Sequence, residues 1–186
     1  MIALRLSVLT AALVCAAPVS AQATPTPADL QAGLAGKWSG ALGYRDYRSN
    51  KLFELPVRTE ITTLPDKATI VRVSTFDDGP ANGLVYITSA SLYDTAKTSV
   101  STTTLRKGRP VETASDTVTV LRFADATHWA VRYERDGNDD DKPARIRTTE
   151  TREGDRVITI KEVMPRSAEA QGWQFRNQTR LDRLAQ

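Results

Sequence analysis

The chain has almost no cysteine and almost no histidine. Cys15 is the only cysteine and His128 the only histidine among its 186 residues. Cys15 lies in an N-terminal stretch that we expect to be cleaved, so the mature chain would have no disulfide, no thiol nucleophile and no thiolate metal site. One histidine cannot build a histidine metal cluster, and no Gly-x-Ser-x-Gly element occurs. We therefore expect neither a metal nor a cofactor.

Long apolar runs are missing except at the N-terminus. Leu6–Ala17 is apolar, but it is shorter than the roughly 20 residues that a membrane-spanning helix needs. One positive charge precedes the run, and Pro18 and a small-x-small pattern ending at Ala23 follow it, as in a signal peptide. We predict cleavage after residues 1–23, a periplasmic or secreted protein, and no stable membrane insertion after cleavage. An uncleaved N-terminal anchor is the alternative.

The sequence also lacks runs of basic residues. The net charge of +3 falls to +2 when Arg5 leaves with the signal peptide, which is 24 basic against 22 acidic residues. Charges of both signs alternate along the chain, and the aromatic residues follow no basic stripe. We therefore expect no nucleic-acid partner.

Only one short segment has the pattern of a helix. Thr26 is suited to the N-cap and Pro27 to the first helical position. Leu30 and Leu34 share one face, and Gly36 is suited to the end of the helix. We expect one or two turns that plug one end of the domain that follows.

From Lys37 onward, apolar and polar residues alternate with a period of two, as in half-buried strands. Counting the strand that begins at Trp38, the pattern predicts ten strands, the others being Phe53–Thr62, Ala68–Phe76, Leu84–Tyr93, Thr98–Arg106, Thr113–Phe123, Thr127–Arg135, Ala144–Arg152, Arg156–Met164 and Trp173–Arg183. The domains are then a signal peptide (1–23), a linker with the short helix (24–35) and one β domain (36–186).

Short turns rich in Gly, Pro, Asp and Asn join these strands, and short connections require antiparallel neighbours. An open sheet of this size would leave two edges unpaired, whereas pairing the first strand with the last removes both. We predict an all-β fold, a closed antiparallel up-and-down β-barrel of about ten strands with a short N-terminal helical turn. A two-sheet sandwich is the alternative.

Gly36-x-Trp38, directly after a short helix and at the start of a β-meander, resembles the opening of calycin-type barrels: lipocalins, fatty-acid-binding proteins and nitrobindin-like proteins. The resemblance implies that a basic residue of the last strand, Arg180 or Arg183, packs on Trp38. The chain departs from fatty-acid-binding proteins because it has no helical lid after the first strand. A nitrobindin-like protein would hold haem through a histidine, but His128 is expected to point outward.

One acidic stretch has the spacing of a calcium loop. Asp136, Asn138 and Asp140 stand at positions one, three and five. The sixth position, usually Gly, is Asp141, and the twelfth, usually an acid, is Arg147. We favour a solvated hairpin turn, with a weak calcium loop as the alternative.

The alternation predicts a lumen with aromatic walls and polar anchors. The predicted ligand-binding residues are Trp38, Tyr44, Tyr86, Trp129, Tyr133, Glu150, Glu162 and Asn177. Because a bare buried carboxylate is very unfavourable, such groups must be paired, hydrated or turned to a ligand; Arg122 is the partner that the pattern suggests. A bulge would instead turn these groups to solvent.

These features predict an exported lipocalin-like protein that binds a small hydrophobic or amphipathic ligand in its lumen. Two alternatives stay open. One is a non-enzymatic envelope interaction module, whose lumen would be filled by large side chains. The other is a calycin-like enzyme that uses a carboxylate pair such as Glu150 and Glu162.

Overall fold

The computed structural model describes residues 25–46, 51–167 and 172–185. Its elements are α1 Pro27–Ala32, β1 Gly36–Arg45, β2 Leu52–Thr63, β3 Thr69–Asp77, α2 Gly79–Asn82, β4 Leu84–Asp94, β5 Ser99–Arg106, β6 Glu112–Asp125, β7 His128–Asp139, β8 Lys142–Glu153, β9 Arg156–Pro165 and β10 Gln174–Arg183. Neither helix in these ranges has the length and apolar character needed to cross a membrane. The predicted signal peptide lies outside the described residues.

The strands form a closed antiparallel up-and-down barrel, as predicted. Each strand pairs with its neighbours in sequence, and β1 pairs with β10 from Trp38 opposite Arg183 to Tyr44 opposite Asn177. Gly40 makes this seam possible, because a Cβ atom there would lie 1.8 Å from the carbonyl oxygen of Arg180. The closed seam leaves none of these ten described strands with an unpaired edge.

Helix α1 plugs one end of the barrel, which we call the floor; the opposite end is the rim. A capping box begins the helix: the Asp29 N–H donates to Thr26 Oγ1 (3.2 Å), and the Thr26 N–H donates to the Asp29 carboxylate (2.9 Å). Leu30 and Leu34 of this segment are buried in the core. The helix ends earlier than predicted, with Gly33 rather than Gly36 as its cap.

A tryptophan and an arginine seal the floor. The Trp38 Nε1–H donates to the carbonyl of Leu34 (2.8 Å), and the Arg183 guanidinium lies 4.3 Å from the centre of the Trp38 ring. Arg183 also donates to the Gly33 carbonyl at 3.0 Å. It is therefore Arg183 that packs on Trp38, as the resemblance implies, while Arg180 forms an ion pair with Glu54.

Bulges interrupt the alternation on two strands, and the one on β6 overturns the predicted role of Arg122. On β6 the register shifts between Val120 and Arg122, so that Arg122 points outward and pairs with Glu153 instead of Glu150. On β10 it shifts between Phe175 and Asn177. Phe175 consequently lies on the opposite face from Asn177.

The acidic stretch forms a tight hairpin. Asp136 and Asn138 belong to β7, and the turn consists of Asp140 and Asp141, both with positive φ (51° and 58°). Two such residues are typical of a two-residue turn between antiparallel strands. Asp136 forms an ion pair with Arg166. The structure thus has the hairpin that we favoured over a calcium loop.

Candidate ligand-binding cavity

A cavity of about 250 Å³ lies inside the barrel. It extends from Tyr93 near the floor toward Glu112 at the rim. Among the described residues that line it, only Val100 and Ala114 are aliphatic, and hydroxyl groups dominate the rest. These hydroxyls come from Ser91, Thr102 and Thr104 on one wall, from Thr148 and Thr159 on another, and from Tyr93 and Tyr133.

A buried carboxylate organises the floor side of the cavity. Glu150 is 3% exposed, and its Oε2 lies 3.0 Å from Arg72 Nη1. Gln31 Nε2 donates to Glu150 Oε1 (2.5 Å), and Thr159 Oγ1 donates to Oε2 (3.2 Å). Arg72 donates to the Gln31 side-chain oxygen as well. The carboxylate therefore has a cation and two further donors in place.

This network keeps Glu150 ionised. Burial acts to raise the pKa of Glu150, but the charge of Arg72 and the hydrogen bonds outweigh burial and lower the pKa below its ordinary value of 4.5. Burial likewise acts to lower the pKa of Arg72, and the nearby Glu150 charge reverses that effect and raises it. At neutral pH the two side chains form a buried ion pair.

Three distant segments bring this cluster together. Glu150 points inward from β8 and stands opposite Thr159 of β9. Arg72 reaches it from β3, where it follows Ile70 on the inward face, and Gln31 reaches it from α1. The sequence interpretation missed both partners. Gln31 lies between Leu30 and Leu34 on the buried face of the helix, and this spacing could have revealed it.

Two tyrosines stand next to the ion pair. The hydroxyls of Tyr93 and Tyr133 lie 3.2 Å apart, so that one donates to the other. Burial raises the pKa of Tyr93 to about 12 and that of Tyr133 well above 10. Both are therefore neutral at pH 7 and carry a proton each. Only one of the two protons is needed for their mutual hydrogen bond, which leaves a donor for another acceptor.

A second ion pair lies closer to the rim. Arg135 Nη1 contacts Asp116 Oδ1 at 2.7 Å, and Asp116 is 7% exposed. Both residues border the cavity, together with the exposed Glu112. The described lining residues thus include two ion pairs and one further carboxylate, that of Glu112, which is exposed to water.

Of the eight predicted ligand-binding residues, Tyr133 and Glu150 border this cavity. Trp38 and Trp129 are fully buried in the core, where they contribute to the floor rather than to the wall. Tyr44 points inward near the rim and stacks on Phe53 with ring centres 5.9 Å apart.

Two predicted site residues point out of the barrel. Tyr86 is 57% exposed, because Tyr93 faces inward and a separation of seven residues places Tyr86 on the other face. Glu162 also points outward and pairs with Arg147 at 2.9 Å. Asn177 lies inside, half-buried, but outside the cavity wall.

The outward position of Glu162 follows from the register of β9. Val157 and Val163 are the buried residues of this strand, which places Ile158 and Ile160 outside together with Glu162. The alternation predicted Glu162 inside the lumen, so this prediction is wrong. Glu150 and Glu162 consequently lie on opposite faces of the sheet and form no carboxylate pair.

His128 points outward, as predicted. Its Nδ1 lies 2.9 Å from a carboxylate oxygen of Asp125, at the floor end of β6 and β7. The hydrogen bonds of Thr127, with a smaller contribution from His128, lower the pKa of Asp125 to about 2. This histidine therefore belongs to a surface turn and does not reach the cavity.

No protein-family model and no curated protein matches this sequence. Among solved structures, the crystal structure of Rv2717c from M. tuberculosis is similar to this chain, with a TM-score of 0.58. The match covers 86% of this chain and 98% of Rv2717c, at 16% sequence identity. At that identity, the likeness concerns the fold.

Proposed function

We propose that this protein binds a small amphipathic molecule in the barrel lumen, with the polar end of the ligand at Tyr93 and Tyr133. The observation that carries the proposal is a cavity whose polar groups are already held in place. Arg72 and Glu150 fix each other beside the tyrosines, and one tyrosine proton remains for a ligand acceptor. Such preorganisation lowers the cost of ordering the site when a ligand binds.

The wall chemistry favours an amphipathic ligand over a purely hydrophobic one. A ligand without polar groups would remove water from the hydroxyls of the wall and leave some of them without a partner, which is costly. The volume of about 250 Å³ lies just below the roughly 300–1,000 Å³ typical of sites for drug-sized molecules. We therefore expect a small ligand.

Each of the two alternative functions requires an arrangement that differs from the one the described residues form. An interaction module with a packed barrel calls for large side chains that meet at the centre, where the structure has a cavity. An enzyme with a carboxylate pair calls for Glu150 and Glu162 side by side, and they lie on opposite faces. Membership of the calycin group and export are parts of the same proposal; the stacking of Arg183 on Trp38 supports the first.

Native mass spectrometry of the protein, purified from the cells that produce it, would identify the natural ligand. We expect a stoichiometric small-molecule adduct that organic extraction releases. A clean mass of the protein alone would not by itself decide the matter, since a weak ligand dissociates during purification, so a second experiment tests the cavity directly.

The direct test uses benzamide, which has an apolar ring and a neutral polar head. Its binding is followed by chemical-shift changes in ¹H–¹⁵N NMR spectra. Ala114→Phe fills the cavity from its wall, and Thr113→Phe adds the same side chain at the exposed neighbouring position. We expect saturable binding to the wild type and to Thr113→Phe, and at least tenfold weaker binding to Ala114→Phe. Equal binding to both variants would refute the proposal. So would a wild type that binds neither benzamide nor its charged analogues benzoate and benzamidinium.

A further inference from the structure

We infer that the lumen selects ligands without net charge. This inference deepens the proposed function and rests on it. Apart from the exposed Glu112, each charged side chain among the described residues of the cavity wall has an opposite partner: Arg72 pairs with the buried Glu150 at 3.0 Å, and Arg135 pairs with the buried Asp116 at 2.7 Å. The wall therefore offers a ligand no unpaired buried charge of either sign.

An anion that approached Arg72 would also approach Glu150, which already occupies the guanidinium. The ligand would lose its hydration and gain an attraction that a nearby carboxylate largely cancels. A cation that approached Asp116 would also approach Arg135, which forms an ion pair with Asp116. The repulsion from Arg135 would then largely cancel the attraction to Asp116. The wall thus disfavours both kinds of ion, whereas a neutral polar group loses far less hydration energy on entry.

Other charges of the barrel do not disturb this balance inside the cavity. Glu112 borders the cavity but is exposed to water at the rim, where solvent weakens its field. Asp139, Lys161 and Arg176 form a separate cluster that does not border the cavity, and Asp139 contacts both cations. The charges that a ligand would meet are therefore the two pairs.

The hydroxyl groups of the wall explain how a neutral ligand is held. A hydroxyl both donates and accepts hydrogen bonds, and the tyrosine pair keeps one proton available beside the ion pair. Thr104 and Thr148 border the same space. Among the described residues, their side-chain oxygens take part in no side-chain hydrogen bond. An amide, alcohol or carbonyl group is the chemistry that this wall recognises.

Three probes of nearly equal shape test the inference: benzamide, benzoate and the benzamidinium ion, with charges of 0, −1 and +1 at pH 7. Dissociation constants are measured by NMR titration of the wild-type protein at fixed ionic strength. We expect benzamide to bind at least tenfold more tightly than either ion. Equal binding of all three probes, or tighter binding of an ion, would overturn the inference.

Two variants should change the preference for ligand charge in opposite directions. Asp116→Asn leaves Arg135 without its carboxylate, so the affinity for benzoate relative to benzamide should rise at least tenfold. Arg135→Gln leaves Asp116 unpaired, and the relative affinity for benzamidinium should rise to a similar extent. Because each variant tests one sign, either one suffices if the other fails to fold.

Glu162→Gln is the matched control. It removes one negative charge, as Asp116→Asn does, but from the outer ion pair with Arg147. Relative affinities for the three probes should stay within twofold of the wild type. A shift as large as that of Asp116→Asn would show that the total charge of the protein, rather than the pairing in the lumen, controls selectivity, and the inference would be wrong.

The two possible failures give different results. If benzoate or benzamidinium binds best to the wild type and Ala114→Phe abolishes that binding, the lumen is a ligand site and only the inference about charge is wrong. If none of the three probes binds to the wild type, the proposed function and the inference are both refuted.

Discussion

Replacement of Arg72 by methionine should destabilise the barrel and change the way its stability depends on pH. Methionine keeps much of the length of the side chain but has no charge, so Glu150 would remain buried without a cation. Glu150 is 3% exposed, and no other cation of the described residues contacts it.

The distance between the charges of Arg72 and Glu150 determines how much stability the Arg72→Met variant should lose. At 3.0 Å and an effective dielectric constant of about 20, the direct attraction is about 5 kcal/mol. Arg72 borders the cavity and keeps 26% of its side-chain surface accessible, so solvent reduces this value. Loss of one partner of a buried pair costs about 3–5 kcal/mol, and we expect about 3 kcal/mol at pH 7.

The pH dependence follows from the direction of each pKa shift. In the wild type, the pKa of Glu150 is lowered on folding, so its contribution to stability is present above pH 4.5 and is lost as the pH falls through the folded-state pKa. Without Arg72, burial dominates and raises the pKa of Glu150 above its unfolded value. The folded variant then favours the protonated acid, and its stability increases as the pH falls from 7 to 5.

Urea denaturation at pH 7 and pH 5 would measure both effects. We expect the difference in unfolding free energy between the wild type and Arg72→Met to be smaller at pH 5 than at pH 7. The double variant with Glu150→Gln should recover most of the stability, because it removes the unpaired charge. The same loss at both pH values, or a loss below about 1 kcal/mol at pH 7, would refute this account of the ion pair.

Two further predictions concern the seam and the plug. Gly40→Ala should destabilise the barrel by at least about 2 kcal/mol, because its Cβ would lie 1.8 Å from the carbonyl oxygen of Arg180. The control is Gly43→Ala, whose Cβ would have no atom nearer than 3.6 Å. Thermal melting should show a clear decrease in the melting temperature for Gly40→Ala and little change for Gly43→Ala. Leu34→Ala should cost about 2–5 kcal/mol in urea denaturation, because Leu34 is 0% exposed; Leu84→Ala, at a position 56% exposed, should cost less than about 0.5 kcal/mol.

Much of the architecture was predictable from local patterns. Period-two alternation and short polar turns indicate ten antiparallel strands, and the closed barrel follows because an open sheet would expose two edges. The inward direction of Glu150 was predictable in the same way, since it shares a face with Ile146 and Thr148 on a strand without bulges. The helical plug was predictable from Thr26 and Leu30.

Bulges and two-sided strands limited the prediction of the site. The sequence raised a bulge as an alternative, but alternation does not show where an extra residue lies, so the bulge that turns Arg122 outward could not be located. On β9, valines and isoleucines occupy both faces, so hydrophobicity alone does not decide between them. That ambiguity placed Glu162 in the lumen by mistake.

Local sequence patterns specify the order of the strands, the plug and the inward carboxylate, because these depend on neighbours within a few residues. Which cation meets that carboxylate depends on how distant strands come together. Arg72 lies 78 residues from Glu150 and Gln31 lies 119 residues from it. Their contacts with Glu150 depend on barrel closure and on the register of strands on opposite walls. A local sequence pattern does not specify contacts between residues so far apart in the chain.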